Sequence, residues 1–253
     1  MGSAAGPPVD LTVFLPAWNE RDTIADAVGA AVDVLRDMRR AGSLEDFEVV
    51  VVDDGSSDGT GEVLDELAER IPELRPVHHP VNRGVGPAIR TALEHSRGRL
   101  VFYTDADLPI DMGELPAIVE LQRDSGADVV IGYRATRTHE SPRRRVYSVV
   151  YNALVRATLG LKVRDVNFAA KLLTAEAVDV VRPRSETIFI DAEILARADR
   201  AGLRIVETPL EYRLRKAGTS TTSSLGQIWL LLREMWSMVP EIRRSRADSY
   251  QRQ

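Results

Sequence analysis

The stretch FEVVVVDDGSSDGT (Phe47–Thr60) runs four valines straight into two aspartates and then into small, hydroxyl-bearing residues. An unbroken apolar run suits a parallel strand covered on both faces. Gly55 and Gly59 let the backbone turn tightly before a helix. Asp58 alone could cap that helix in a solvated turn, so Asp53 and Asp54 need a further explanation. A carboxylate at a strand end can accept hydrogen bonds from a base or ribose, as in dinucleotide folds.

Outward from this strand, the chain alternates strand-like and helix-like segments. LTVFLP (Leu11–Pro16) precedes a helix in which Ile24, Val28, Ala31, Leu35 and Met38 recur at spacings of four and three, with Asp22 as N-cap and Gly42 as stop. Further strands are expected at LRPVHH, GRLVFYTDADL and ADVVIGY, with helices at GEVLDELAERI, GPAIRTALEHS and GELPAIVELQRDSG. This rhythm predicts an α/β fold with a mostly parallel, doubly wound sheet flanked by helices. Ligands of such sheets bind beyond the carboxyl ends of the strands, where Asp53, Asp54, Asp105 and Asp107 would lie. After residue 133 the rhythm loosens. A basic-led helix (SPRRRVYSVVYNALVRATLGL), a strand (FAAKLLT), a helix (DAEILARADRAG) and a strand (LRIVETPLEYR) are expected there.

The bulk properties exclude several classes. A formal net charge of -5 argues against a general nucleic-acid binder, which would be basic. With no cysteine there is neither a disulfide framework nor a zinc-thiolate site. The start, MGSAAGPPVD, has no apolar core of a signal peptide. No stretch approaches the roughly 18 apolar residues of a spanning helix. The nearest, LGQIWLLLREMWSMV (Leu225–Val239), carries Arg233 and Glu234.

Three further constellations bear on chemistry. In TDADLPID, Asp105 and Asp107 flank one alanine; in an extended chain both would point the same way. Such a pair can share a hard divalent cation, Mg²⁺ or Mn²⁺, which also takes phosphate oxygens from a substrate. Asn82, Gly84 and Gly86 form a flexible loop entering a helix, whose free N–H groups favour anions. Taken alone it reads as an ordinary loop, with Pro87 at the start of the helix. In YRLRKAGTSTTSS, Arg213, Arg215 and Lys216 precede a run of hydroxyls, a composition suited either to closing over a diphosphate or to a solvated linker.

Together, LPAWNE, VVVDDGSSDGT, NRGVGPAIRTAL, TDADL, RDVNFAAKLL, IFIDAEIL and RKAGTS resemble, in order over roughly residues 11–220, the inverting nucleotide-sugar glycosyltransferases of the GT-A fold. The nearest branch is the dolichol- and polyprenyl-phosphate mannose or glucose synthases. The resemblance implies that Pro16, Ala17, Trp18 and Glu20 line the nucleotide pocket and that Asp53 and Asp54 hold base or ribose. It implies that Gly84 and Ala106 adjoin the nucleotide sugar. Asp107 would be the direct metal ligand, with Asp105 nearer the nucleotide or metal. Arg215 and Ser220 would contact phosphates, and Asp165 would lie near sugar and acceptor, making Asp107, Asp165 and Arg215 the catalytic set. Asp191 and Glu193 match a D-x-E-L segment. The chain departs from the pattern at Pro109, where glutamine is usual and Asp111 or water would have to compensate, at Asn167 for glycine, and at Thr221 for lysine.

The implied reaction moves a hexose from a nucleotide-diphosphate sugar, GDP-mannose before UDP-glucose, to a polyprenyl or dolichyl phosphate. A phosphate monoester is largely ionised at pH 7, so it needs positive charge rather than a base. Arg134, Arg137 and Arg143–Arg145 would supply that charge; Arg134, Arg143, Arg145 and Asp191 are the acceptor-side residues. The alternatives are transfer to a hydroxyl of a soluble acceptor, which needs a carboxylate base, and a non-catalytic sugar-nucleotide-binding subunit. The expected layout is a lead-in (1–9), a GT-A domain (10–222), an amphipathic helix (223–246) and a tail (247–253). In that helix Leu225, Ile228, Trp229, Leu232, Met235, Trp236 and Val239 form one stripe, followed by Arg243, Arg244 and Arg246. It is expected to pack on the domain or on a second copy in a homo-oligomer, with one edge at a membrane surface. The protein is therefore expected to be cytoplasmic, peripheral on the cytoplasmic face of the membrane.

Overall fold

The computed structural model describes residues 7–135, 142–212 and 225–244, without the side chains of 142–147, 225, 227–229, 243 and 244. Arg137, Arg213, Arg215, Lys216, Ser220 and Arg246 lie outside the described residues, as do the side chains of Arg143 and Arg145.

The valine run forms β2 (Phe47–Asp53), buried at every position. It pairs in parallel with β1 (Val9–Ala17) and β3 (Leu74–His78), and β1 pairs in parallel with β4 (Gly98–Thr104). Helices α1 (Ile24–Arg40), α2 (Thr60–Ala68) and α3 (Val85–His95) make the crossovers. After β4 come a 3₁₀ turn at Met112–Glu114, α4 (Leu115–Ser125) and β5 (Val129–Arg134). The second half contributes α5 (Pro142–Leu159), β6 (Ala170–Thr174), α6 (Ala175–Val181), α7 (Ile190–Arg200), β7 (Ile205–Leu210) and α8 (Leu225–Arg244).

The sheet order is β3-β2-β1-β4-β6-β5-β7. β6 runs antiparallel to both β4 and β5, so the sheet is mostly parallel with one reversed strand. Alternation along the strands feeds two cores. Val49 and Val51 join the side chains of α1 on one face, while Val50 and Val52 join those of α3 and α7 on the other. A strand buried on both faces needs apolar residues through its middle, which is why Val49–Val52 run unbroken, while buried Glu48 and Asp53 near its ends carry their own partners.

Three local expectations are corrected. α1 is preceded by Thr23, not capped by Asp22; the Thr23 hydroxyl turns back to the Glu20 carbonyl and carboxylate. The short helix α6 went unforeseen; Thr174 caps it by accepting from Ala177 N–H. On α8, Leu232, Met235 and Val239 of the expected stripe pack on the core together with Leu231 and Ile242, whereas Trp236 is 62% exposed. α8 packs against the same core as α5 and α7.

Candidate active site

The ends of β1 and β2 are adjacent, with Ala17 opposite Asp53. The loops that follow are stitched together. Asn19, at φ 55°, donates its N–H to Ser56 Oγ (2.9 Å) and accepts from Ser57 N–H through Oδ1 (2.9 Å). Glu20 N–H donates to Thr60 Oγ1 (2.9 Å), and Asp58 accepts from Arg21 and Thr60 N–H groups. Half-buried Pro16 and buried Ala17 lead to Trp18, 43% exposed, on this rim.

Asp53 and Asp54 are both buried, and each has protein partners. Asp53 accepts from Ser56 N–H (3.0 Å) and from His78 Nδ1 (3.1 Å). The other ring nitrogen of His78 faces Asp65 (3.1 Å). Burial works against charge on His78, but the hydrogen bonds to Asp53 and Asp65 outweigh it and raise its pKa. Asp54 accepts from His79 Nδ1 (2.6 Å), Arg83 N–H (2.9 Å) and Gly84 N–H (2.7 Å). Gly84 has φ 94°, which favours glycine. A Cβ on Gly86 would stand 2.2 Å from the Ser185 carbonyl oxygen. The glycine loop is therefore packed between Asp54 and the 185–186 backbone.

The second half of the site is acidic. Asp105 and Asp107 follow β4, but not in extended chain: Leu108 N–H donates to the Asp105 carbonyl (3.0 Å), closing a turn. The alternation argument for their side chains therefore does not apply. Asp105 Oδ1 accepts from the Tyr103 hydroxyl (3.2 Å), and Ala106 between the aspartates is buried. Buried Pro109 follows, and Asp111 caps the 3₁₀ turn by accepting from Gly113 N–H (3.0 Å).

Two buried ion pairs complete this half. Arg134 Nη1 donates to Asp165 Oδ2 (2.7 Å), its guanidinium lying over the rings of Phe168 (5.2 Å) and Tyr212 (5.0 Å). Lys171, wholly buried, donates to Asp191 Oδ1 (2.6 Å) and to the Phe168 carbonyl (2.8 Å). Burial pushes the Asp191 carboxyl above its ordinary value; Lys171 pulls it back, and the charges of Asp105 and Asp165 push it up again. Burial, then Asp105 and Asp191, hold the Tyr103 phenol well above its ordinary value. Asp105, Asp165 and Asp191 thus share one electrostatic neighbourhood. Glu193, by contrast, is a brace: it accepts from Arg184 N–H (2.9 Å), Ser185 N–H (2.8 Å) and Arg197 Nε (2.7 Å).

The donor set suits a hard cation. Asp105 and Asp107 are carboxylates beyond the carboxyl end of β4, and two buried oxygens beside this acidic half, Thr104 Oγ1 and Asn167 Oδ1, have no hydrogen-bond partner among the described residues. No group of three or more His, Cys, Asp or Glu set to hold a metal occurs among the described residues, so a cation there would need substrate oxygens.

Sequence reasoning missed His78, His79, Tyr103 and Lys171. A lysine inside the apolar run FAAKLLT was the available signal, because a buried ammonium needs a partner. Likewise, register places His78 opposite Asp53, but only once β2 and β3 are paired.

The profile of Glycosyl transferase family 2 matches residues 12–182, and the chain belongs to that family. It is 36% identical to glycosyltransferase AglD of Haloferax volcanii, over 83% of this chain and 34% of that one. It is 31% identical to a dolichyl-phosphate beta-glucosyltransferase of Trichomonas vaginalis, over 81% and 66%, and 32% identical to an undecaprenyl-phosphate 4-deoxy-4-formamido-L-arabinose transferase of Edwardsiella ictaluri, over 83% and 62%. The chain therefore spans about a third to two thirds of the length of these curated relatives.

Among solved structures, glucosyl-3-phosphoglycerate synthase of Mycobacterium tuberculosis, in complex with Mn²⁺, UDP and glucosyl-3-phosphoglycerate, superposes with a TM-score of 0.66. The identity is 21%, covering 92% of this chain and 80% of that one. The mannosyltransferase PcManGT of Pyrobaculum calidifontis, with GDP-Man and Mn²⁺, gives 0.61 at 21% identity, over 94% and 66%. These likenesses establish the GT-A fold.

Proposed function

We propose that this chain transfers a hexose, with inversion, from a nucleotide-diphosphate sugar to a polyprenyl or dolichyl phosphate. The observation that carries the reading is the acidic half of the site: Asp105, Asp165 and Asp191 gathered beyond β4, beside the interlocked loops that follow β1 and β2. Relatives named for transfer to dolichyl and undecaprenyl phosphate support the acceptor class. A relative named for glucosyl transfer supports glucose as the sugar, and UDP-glucose and GDP-mannose are the donors to test side by side.

In this reading the nucleotide lies along Pro16–Glu20 and above Asp53 and Asp54. Asp105 and Asp107 would hold Mg²⁺ or Mn²⁺, which when bound neutralises charge on the departing diphosphate. Arg215 and Ser220 are assigned to the same diphosphate. The acceptor phosphate oxygen forms a bond to the anomeric carbon as the bond from that carbon to the diphosphate breaks, and the nucleoside diphosphate leaves. Asp165, fixed by Arg134, borders the sugar and acceptor.

One observation favours a second reading. Asp191 is a buried carboxyl of raised proton affinity, the property a general base for a hydroxyl acceptor requires. The test is transfer from labelled UDP-glucose and GDP-mannose, with Mg²⁺ or Mn²⁺, with and without a short polyprenyl phosphate, for the parent and Asp191→Asn. Label entering the organic phase only with lipid phosphate, and surviving Asp191→Asn, supports the first reading. Transfer only to a hydroxyl acceptor, abolished in Asp191→Asn, replaces it with the second.

A further inference from the structure

His78 ends β3 and His79 follows it, and each turns to one of the two aspartates at the end of β2. The two rings differ in what lies on their far side. Beyond buried His79 is the Thr91 hydroxyl of α3 (2.9 Å), which can donate to the ring, so a neutral imidazole satisfies both of its contacts. His78 has a carboxylate at each nitrogen: Asp53 Oδ2 at Nδ1 and Asp65 Oδ1 at Nε2, both at 3.1 Å. A neutral imidazole has one N–H and one lone pair, so one carboxylate would face a lone pair. Only the imidazolium donates to both.

The two carboxylates are not equivalent. Asp65 is 69% exposed and can swing into water. Asp53 is buried, also accepts from Ser56 N–H, and lies against the first turn of α2. A Cβ at Gly61 would stand 2.9 Å from Asp53 Oδ2 and 3.4 Å from His78 Nδ1, so only glycine lets the helix come this close. The charged groups that face His78 are Asp53 from β2 and Asp65 from α2, the elements packed on this side of β3. Burial opposes charge on the ring, and the hydrogen bonds and attraction of these two carboxylates outweigh it.

We propose that His78 is a positioning residue for the donor nucleotide: as an imidazolium it fixes Asp53 and offsets its charge, and the site loses nucleotide affinity when the ring gives up its proton. The proposal rests on the reading that the nucleotide lies above Asp53. A neutral ring can keep its Nδ1–H on Asp53, but the bond is then no longer charge-assisted and about half as strong. The buried carboxylate is left uncompensated beside an anionic ligand. Because the folded pKa of His78 is raised, tight binding belongs to the lower pH range and is lost as pH rises through that value.

The experiment is calorimetric titration of UDP and of GDP, with Mg²⁺, into the full chain between about pH 6.5 and 8.5, for the parent, His78→Gln and Asp65→Asn. Parent affinity should fall about threefold to tenfold across that range. His78→Gln should bind at the lower end about as weakly as the parent does at the upper end, and the pH dependence it retains is that of the ligand's phosphate, with a second pKa of about 6. Asp65→Asn, changed on the exposed side of α2, should match the parent in urea unfolding and move the fall in affinity to lower pH, a displacement that a merely structural histidine would not produce. Parent and His78→Gln curves that run parallel, or an Asp65→Asn curve that superposes on the parent's, overturn the proposal and leave the nucleotide site standing. Failure of the parent to bind either nucleotide at any pH removes the nucleotide reading itself, and the role of His78 with it.

Discussion

Replacing Lys171 by methionine tests the electrostatic construction of the acidic half. Lys171 has no exposed surface, and its ammonium donates to Asp191 at 2.6 Å and to the Phe168 carbonyl at 2.8 Å. Methionine keeps an unbranched chain of similar length but removes the charge and both hydrogen bonds. Breaking a buried pair by deleting one partner costs about 3–5 kcal/mol, because the other charge is left uncompensated. That is a large share of the roughly 5–15 kcal/mol that holds a domain folded. At about 2–4 °C per kcal/mol for a chain of this size, the thermal midpoint should fall by about 6–20 °C. The pH dependence has a definite sign. Burial already holds Asp191 above its ordinary value, and Lys171 is the main influence pulling it down. Without Lys171 the folded pKa rises further, so charge on Asp191 is most costly well above that pKa and ceases to be once it is protonated. Urea unfolding should therefore show the largest loss near pH 7 and a smaller one near pH 5. Lys171→Met/Asp191→Leu should recover most of the stability, since an apolar pair replaces an ion pair at little cost. A single variant within about 1 kcal/mol of the parent, or a loss that grows on acidification, would refute the assignment of Lys171 as the compensating charge.

At the proposed metal site, Asp107→Ala should abolish metal-dependent transfer while circular dichroism and urea unfolding stay within about 1 kcal/mol of the parent, as for a half-exposed turn residue; turnover at the parental rate would remove Asp107 from the site. At the opposite end of the sheet, Glu48 is buried and accepts from Thr12 (2.7 Å), Arg75 (2.6 Å) and Arg97 (2.7 and 2.8 Å). Burial pushes its pKa up, but these hydrogen bonds prevail and hold it below the ordinary value. Glu48→Gln should cost about 1.5–3 kcal/mol at pH 7. Because the folded pKa is depressed, that contribution is present above the unfolded pKa of about 4.3 and disappears as pH falls through the folded value. Parent and variant unfolding curves should therefore converge in acid.

The parts of the fold that were legible are those in which a single element carries its own pattern. β2 reads as a strand buried on both faces because Val49–Val52 run unbroken, and α1 reads as a helix because its apolar residues keep a period near 3.6. Strand direction is different. Nothing within FAAKLLT says that β6 runs against its neighbours, because direction follows from where α5 and α6 carry the chain. α6 is only seven residues long, too short for periodicity to announce it, and Thr174 with Glu176 was the remaining signal. In the site, position along the chain located Asp53, Asp105 and Asp191 at strand or helix ends, but their partners were not readable. Lys171 and Asp191 are 20 residues apart and Arg134 and Asp165 are 31 apart, so each pair exists only after the sheet has formed.

The two aspartates after β2 also connect parts of the molecule distant in sequence. Asp54 grips the Arg83 and Gly84 N–H groups, and Gly86 is pressed against the Ser185 carbonyl. Arg90 of α3 donates to the carbonyls of Arg184 (2.7 Å) and Ser185 (2.6 Å), which fixes the same segment from the helix side. The next residues, Glu186 and Thr187, donate their N–H groups to Glu234 of α8 (2.6 and 3.2 Å). α7 begins three residues later and carries Asp191 into the acidic half. Hydrogen bonds and close backbone packing therefore tie α8 to the 184–187 segment, that segment to α3 and its glycine loop, and the loop to Asp54, and α7 with Asp191 follows directly from the segment. A carboxylate bonded in this way has little rotational freedom, and a site assembled from such groups needs little reorganisation when charge develops in it. Bracing is the role the geometry gives Asp54; in the proposed reading, the edge it braces is where the nucleotide would lie.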